Sequence, residues 1–235
     1  KAGRLMKITI MGAGSWGTAL AKLLADNRQE VLLYDRSPGT VEEINNQHSN
    51  LTKLANSYLP VTVKATTDLS EALSFSDILV LSVPTKVIRG VLAEIAKLLT
   101  SPKLFVNTSK GLEPETYKRV SEVTKEEIPS HLLKGFVALT GPSHAEEVII
   151  GLPTSVCSVS ENVEHAKLIQ KIFSNTSYFR VYTLTDLAGA ELGGALKNIY
   201  AIASGMLEGS GYGDNARAAL IARALVEMRK LAIAM

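Results

Sequence analysis

The chain has few of the features that mark several protein classes. Its 235 residues include one cysteine, Cys157, which excludes a framework of internal disulfide bonds and fits a reducing compartment. No apolar run is long enough to cross a membrane, and the N-terminal region carries a strand and a glycine-rich turn instead of a signal peptide. The net charge is only +2, and the basic residues form no stripe. The sequence therefore predicts neither a nucleic-acid-binding nor a membrane-spanning protein.

Two kinds of catalytic pattern are also missing. No His, Cys and Asp residues recur at the spacing of metal ligands, and no Ser/His/Asp constellation stands out. We therefore expect no metal site. Apolar residues, in contrast, make up 46% of the chain against 20% charged residues. This balance and the length predict a globular protein with a large core and two units.

A glycine-rich turn near the N-terminus stands between a predicted strand and a predicted helix. Lys7–Met11 is a short, β-branched apolar run, which indicates a buried strand. Gly12, Gly14 and Gly17 follow it in the spacing G-x-G-x-x-G, before a helical pattern that starts at Thr18. We expect these glycines, in that order, to allow a tight turn, a close approach by pyrophosphate and close packing of helix on strand. The helix N-terminus would bind the phosphates.

An acidic residue stands where a ribose-binding acid is expected. The second predicted strand, Glu30–Tyr34, ends at Asp35, which follows the glycines by roughly 20 residues, the usual interval in dinucleotide-binding folds. The strand, glycine turn, helix and acid together predict dinucleotide binding. A purely structural strand-to-helix turn is the alternative.

Strands and helices alternate along residues 6–184, which predicts a Rossmann-type, doubly wound and mostly parallel sheet. The apolar run at residues 77–83 indicates a central strand that is buried on both faces. The other predicted strands are residues 61–65, 103–107, 136–140, 154–159 and 179–182. The predicted helices after the first are residues 38–47, 68–74, 86–99, 113–127, 143–150 and 161–174.

The pattern changes after residue 184. No strand is predicted in residues 186–235, where small and aliphatic residues recur at helical spacing with a glycine-rich break at residues 205–213. The helical pattern still runs at Met235, and no cap or breaker closes it. We therefore expect residues 185–235 to form the start of an all-helical second domain that is incomplete.

Three further positions are candidates because ligands bind beyond the carboxyl ends of the strands in such sheets. Lys110 follows a strand and either holds a phosphate or polarises a carbonyl, or is a solvated loop lysine. The turn at residues 141–143 either binds an anion or simply begins a helix. Lys197 interrupts an apolar, small-residue helix, where poor solvation would suit an acid–base role. Alternatively, its stem leads the ammonium group to water.

Five motifs occur in order and together resemble the bacterial NAD(P)-dependent sn-glycerol-3-phosphate dehydrogenases. They are GAGSWGTAL from Gly12, SKGLE from Ser109, GPSHAEE from Gly141, LGGALKN from Leu192 and GDNARAAL from Gly213. The resemblance covers residues 6–235. It implies reduction of dihydroxyacetone phosphate to sn-glycerol 3-phosphate, a phospholipid precursor, with NAD or NADP as the cofactor. It also implies a cytoplasmic homodimer that needs no metal.

The resemblance also assigns roles to residues. Lys197 is the implied catalytic residue, which gives a proton to the developing alkoxide while Lys110 adds positive potential. The cofactor contacts, with the glycines and the acid included, are Gly12, Gly14, Ser15, Trp16, Gly17, Asp35, Arg36, Lys110 and Ala145. The substrate contacts are Lys110, Gly141, Ser143 and Lys197.

Some questions stay open at this stage. Asp35 would accept the ribose hydroxyls of NAD and repel a 2′-phosphate, whereas Arg36 would stack on adenine or pair with that phosphate, so the preference leans only slightly to NAD. The family also has a later helical segment, with an aspartate and a Ser-Arg-Asn cluster, that this sequence does not match. The alternatives are a 6-phosphogluconate- or 3-hydroxyacid-type dehydrogenase and a non-catalytic dinucleotide-binding remnant.

Overall fold

The structure, a computed structural model, describes residues 5–234. Met235, which we placed in the helical unit, lies outside the described residues. The strands are β1 Lys7–Met11, β2 Glu30–Tyr34, β3 Val63–Thr66, β4 Ile78–Leu81, β5 Lys103–Asn107, β6 Leu133–Thr140, β7 Thr154–Val159 and β8 Phe179–Leu184. They form one sheet in the order β3-β2-β1-β4-β5-β6-β7-β8.

All neighbouring strands in this sheet are parallel except β6 and β7. The strand order reverses between β1 and β4, which is where a doubly wound sheet opens a crevice for ligands. The prediction of a Rossmann-type, mostly parallel sheet is thus confirmed. The sequence did not predict that β7 runs antiparallel to β6.

The helices are α1 Ser15–Asp26, α2 Pro38–Glu42, α3 Leu69–Phe75, α4 Ile88–Leu98, α5 Val120–Glu127, α6 Ala145–Ile149, α7 Val163–Phe173, α8 Leu187–Gly209 and α9 Asp214–Ala234. A π-helical turn, Glu43–Gln47, extends α2, and two 3₁₀ turns lie at Thr85–Val87 and Ser130–Leu132. Helix α1 begins at Ser15, earlier than we predicted.

One hydrophobic cluster covers each face of the sheet. On one face, Leu23 of α1 and Phe173 of α7 pack in a cluster with Ile10 of β1. On the other face, Leu92 of α4 packs in a cluster with Phe105 of β5. The central strands are therefore covered on both sides, which explains why they are apolar along their whole length.

One predicted helix, residues 113–127, is wrong in its first half. The helix begins only at Val120, and residues 113–118 form a turn in which Glu115 and Tyr117 have φ angles of +71° and +57°. The carboxylate of Glu113 is bound by the guanidinium of Arg89 on α4, and this long-range pair holds the turn. Tertiary contacts therefore override the local helical preference.

Two long helices follow the sheet. Helix α8 continues through Gly205 to Gly209, so the glycine-rich break is shorter than we expected, and α9 begins at Asp214. The two helices pack on each other, and α8 also packs against β6. Ile202 of α8 is 66% exposed. Within residues 5–234, no helix has the length and apolar character that a membrane span requires.

Candidate active site

Three loops meet at the carboxyl ends of the central strands. They are the glycine loop (residues 12–17) after β1, the lysine loop (residues 108–118) after β5, and the serine loop (residues 141–144) after β6. Together they line a cleft of about 370 Å³, the glycine-loop cleft, between Gly14, Lys110 and Ser143. The structure therefore brings together residues that the sequence placed at one edge of a sheet.

The predicted site residues divide among this cleft and two others that adjoin it. The glycine-loop cleft is lined by Gly14, Ser15, Trp16, Lys110, Ser143 and Ala145. The Arg36 cleft, of about 460 Å³, is lined by Gly12, Asp35 and Arg36. The Lys197 cleft, of about 410 Å³, is lined by Lys110, Gly141, Ser143 and Lys197. Gly17 is buried beneath the glycine loop.

The glycine loop has the geometry that its spacing predicts. Gly12 has a φ angle of +110°, and a Cβ there would lie 2.7 Å from the carbonyl oxygen of Ser82. A Cβ on Gly17 would lie 2.0 Å from the carbonyl oxygen of Gly12, so α1 can approach β1 only if position 17 has no side chain. A Cβ on Gly14, in contrast, would meet nothing within 4 Å. The loop is thus tight underneath and open on the side of the cleft.

The open side of the loop fits a dinucleotide phosphate. No side chain caps the N-terminus of α1, where Gly14 is the N-cap residue. The buried Trp16 Nε1 and Ser82 Oγ atoms make no hydrogen bond in the part of the chain that the structure describes. Free N–H groups at a helix start, together with the space above Gly14, are what a pyrophosphate needs.

Ser15 differs from the expectation in one respect. Its hydroxyl donates a hydrogen bond to the carbonyl oxygen of Lys53 at 2.7 Å, which leaves its backbone N–H as the group for a cofactor contact. The same segment supplies Asn50, which is fully buried and donates to the carbonyl oxygen of Ala13 and the hydroxyl of Thr18. Asn50 supports the glycine loop from below, a role that the sequence did not reveal.

The Arg36 cleft has apolar walls and a charged rim. Leu69 and Val91 are among the apolar residues that line it. At the rim, Asp35 accepts hydrogen bonds from the N–H groups of Ala13 at 2.9 Å and Ser37 at 3.0 Å, one on each carboxylate oxygen. Each oxygen keeps a second lone pair, so the fixed carboxylate can also accept a ribose hydroxyl.

The Lys197 cleft contains two lysines. Lys110 is half-buried, and its Nζ lies 3.4 Å from both the carbonyl oxygen and the hydroxyl of Ser143. Burial lowers the pKa of Lys110, and the positive charge of Lys197 lowers it further. The two ammonium groups therefore influence each other across one cavity, which suits an anionic or developing negative charge.

The expected poor solvation of Lys197 is wrong. Lys197 is exposed, and its Nζ donates to Asn198 Oδ1 at 3.0 Å. The reason lies in how α8 packs: it meets the sheet along one side only, and neighbouring side chains such as Ile199, 61% exposed, stand on a face that no described residue covers. Within the described residues, the ammonium group of Lys197 is therefore exposed to solvent.

Sequence reasoning missed two acidic residues that fix elements around the site. Glu191 of α8 is only 8% exposed and accepts hydrogen bonds from the N–H and hydroxyl of Ser121, which ties α8 to α5. Burial raises the pKa of Glu191. An acid within an apolar helix is the same signal that singled out Lys197. Glu113, held by Arg89 from 24 positions away, carries no comparable local signal.

Within residues 5–234, no three His, Cys, Asp or Glu side chains are placed to hold a metal ion. The acids that line the three clefts are Asp35 and Glu94, both at the Arg36 rim, whereas His144 and Cys157 border the Lys197 cleft.

Comparisons with known proteins agree with this geometry. The curated "Glycerol-3-phosphate dehydrogenase [NAD(P)+]" of Bacillus pumilus is 48% identical over 227 residues, which are 97% of this chain and 66% of the relative. That of Staphylococcus epidermidis is 50% identical over 97% of this chain and 68% of its own length. The chain thus spans about two thirds of the length of these relatives.

Solved structures show the same similarity. The crystal structure of glycerol-3-phosphate dehydrogenase from Coxiella burnetii matches with a TM-score of 0.86 and 36% identity, over 97% of this chain and 68% of that one. The family model described as NAD-dependent glycerol-3-phosphate dehydrogenase N-terminus matches residues 7–166, and the corresponding C-terminus model matches residues 186–235. The chain belongs to the NAD-dependent glycerol-3-phosphate dehydrogenase family.

Proposed function

We propose that this chain carries the cofactor site and the substrate lysines of an enzyme that reduces dihydroxyacetone phosphate to sn-glycerol 3-phosphate. The observation that supports this most directly is the placement of Lys110 and Ser143. Both residues line the glycine-loop cleft and the Lys197 cleft, so they stand between the cofactor side and the substrate side. A carbonyl at that junction would lie beside two lysines.

In this proposal, the glycine loop and the N-terminus of α1 hold the pyrophosphate, and Asp35 holds a ribose. When bound, NADH or NADPH supplies the hydride that adds to the carbonyl carbon. Ala145, which is buried at the start of α6, and Trp16 line the wall of the cleft beside the phosphates. They keep the position of the cofactor fixed and exclude water from it.

The lysines manage the charge and the proton. As hydride arrives, negative charge develops on the carbonyl oxygen, and the ammonium group of Lys197 gives it a proton to complete the alcohol. Lys110 stabilises the same oxygen or the substrate phosphate, while Ser143 holds the Lys110 ammonium through its carbonyl and hydroxyl oxygens. Gly141 is also a substrate contact in this proposal. The family resemblance assigns it that role, and it lines the Lys197 cleft.

The wider setting of this activity is also part of the proposal. We divide the chain into a dinucleotide-binding unit, residues 6–184, and a helical unit, residues 185–235, because the last strand ends at Leu184 and α8 begins at Leu187. A homodimer and a cytoplasmic location are supported by the family resemblance alone.

The test is oxidation of NADH and of NADPH by the purified chain with dihydroxyacetone phosphate. Lys197→Ala should lower turnover by a factor on the order of 10²–10⁴ while NADH binding stays unchanged. Lys171→Ala, which removes an exposed lysine from the remote helix α7, is the matched control and should leave turnover unchanged. Binding of NADH without turnover by the wild-type chain would favour a binding remnant. Turnover only with a 3-hydroxyacid or 6-phosphogluconate would favour the related dehydrogenases.

A further inference from the structure

The charged rim of the Arg36 cleft contains an ion pair that closes across the cleft. Arg36 Nη2, from the loop after β2, donates to Glu94 Oε2 of α4 at 2.5 Å. The carboxylate of Glu94 raises the pKa of Arg36. Both side chains are largely exposed, at 64% and 49%, and both border the cavity. One nitrogen of the Arg36 guanidinium is therefore already paired with an acid of the chain itself.

The other rim groups leave Arg36 as the group best suited to an additional anion. Asp35 is fixed by two backbone N–H groups and points its negative charge at the same rim. Lys86 also borders the cleft, but it is an exposed lysine with a flexible stem. A planar guanidinium binds phosphate with two parallel hydrogen bonds, which an ammonium group cannot do.

We propose that Glu94 favours NADH over NADPH in this chain by pairing with the guanidinium that a 2′-phosphate would need. The proposal rests on the proposed function, because it assumes that the adenosine half of the cofactor lies in the Arg36 cleft. NADH presents a neutral 2′-hydroxyl there, which Asp35 can accept without disturbing the ion pair. NADPH must separate Arg36 from Glu94 or share it, and its phosphate then faces two carboxylates.

The size of the effect follows from the exposure of the pair. An ion pair in contact with water is screened and is readily broken, so the discrimination is modest. We expect Glu94→Gln to tighten NADPH binding about 3- to 10-fold and to change NADH binding less than about 2-fold. The gain should shrink as salt is raised, because it is electrostatic.

The experiment measures the dissociation constants of NADH and NADPH for the 235-residue chain by titration of nicotinamide fluorescence, without substrate. The variants are Glu94→Gln, Arg36→Gln and the double variant, since the gain from Glu94→Gln should vanish when Arg36 is absent. Glu161→Gln is the matched control: it removes another exposed, ion-paired glutamate, which lies far from the cleft before α7. It should leave the ratio of the two constants unchanged.

Each outcome decides the question. A ratio that shifts toward NADPH in Glu94→Gln, and only when Arg36 is present, supports the proposal. An unchanged ratio, an equal loss of both cofactors, or the same gain in the Arg36→Gln background overturns it. A wild-type chain that binds neither cofactor overturns both this inference and the proposed cofactor site. A chain that binds NADH but reduces no substrate removes only the proposed reaction, and the ratio still tests Glu94.

Discussion

The tie between the lysine loop and α4 allows a stability prediction with a definite pH dependence. Glu113 is buried, and its two carboxylate oxygens receive Arg89 Nε at 2.7 Å and Nη2 at 2.8 Å. The hydroxyl of Thr116 adds a third hydrogen bond. The Arg89 guanidinium holds the pKa of Glu113 at about 2, well below its usual 4.5. Replacing Glu113 by Gln removes this charge and should destabilise the folded chain.

The pKa of Glu113 and the exposure of its ion pair with Arg89 limit the size of the loss in stability. If the lowered pKa of Glu113 were present only in the folded state and unscreened, it would stabilise the folded chain by about 3 kcal/mol at neutral pH. Arg89 is 34% exposed and is shared with Glu126 and Glu127, so solvent and the competing acids reduce the value. We therefore expect Glu113→Gln to lower the free energy of unfolding by about 1–2 kcal/mol at pH 7.

The sign of the pH dependence follows from the lowered pKa. The stabilisation is fully present above 4.5, where the carboxyl group of Glu113 is ionised in both states, and is lost as the pH falls toward 2. Urea unfolding of wild type and variant at pH 7 and pH 3 measures it, since the carboxylates that do not contact Arg89 cancel in the difference. The deficit of Glu113→Gln should shrink by more than half at pH 3. An equal deficit at both pH values would refute the reasoning. Glu42→Gln, which removes an exposed carboxylate on α2, should change stability little at either pH.

Three further predictions concern the clefts. Gly17→Ala should lower the free energy of unfolding by about 1–3 kcal/mol, because its Cβ would overlap the carbonyl oxygen of Gly12. Gly14→Ala should leave the melting temperature unchanged but abolish NADH binding; tight binding by that variant would argue against a pyrophosphate above the loop. Lys197→Ala should raise the pKa of Lys110, since it removes the positive neighbour. NMR titration of the methylated lysine measures that pKa, and an unmoved value would show that the two ammonium groups do not interact.

Much of the sheet was predictable because local chemistry sets it. The run Lys7–Met11 and the strand Glu30–Tyr34 have the predicted bounds, since short apolar runs between polar or glycine boundaries leave few alternatives. The false helix at residues 113–119 shows the limit of such reasoning. Its sequence suits a helix, but the carboxylate of Glu113 gains more from Arg89, which is distant along the chain.

The site was predictable where one rule connects sequence to space. Lys110 and Ser143 follow different strands, and the rule that parallel strands present their carboxyl ends at one edge brings them together. No such rule relates Arg36 to Glu94, because their contact depends on how α4 lies against the loop after β2. The prediction that Lys197 is poorly solvated was wrong for the same reason, because a helical sequence pattern does not show which face of the helix other elements cover.

The distribution of charge along the three clefts gives the site a direction. At the Arg36 end, each acid faces a cation or a backbone donor, and the guanidinium is neutralised by Glu94. At the other end, within the described residues, Lys110 and Lys197 form no ion pair with a carboxylate. Under the proposed function, a phosphorylated substrate would therefore be attracted to the lysine end, whereas at the Arg36 end only Lys86, among the described residues that line the cleft, stands beside the paired charges. Removing Glu94 would weaken this asymmetry, so we expect the acid to keep the substrate phosphate, as well as a 2′-phosphate, away from the adenosine side.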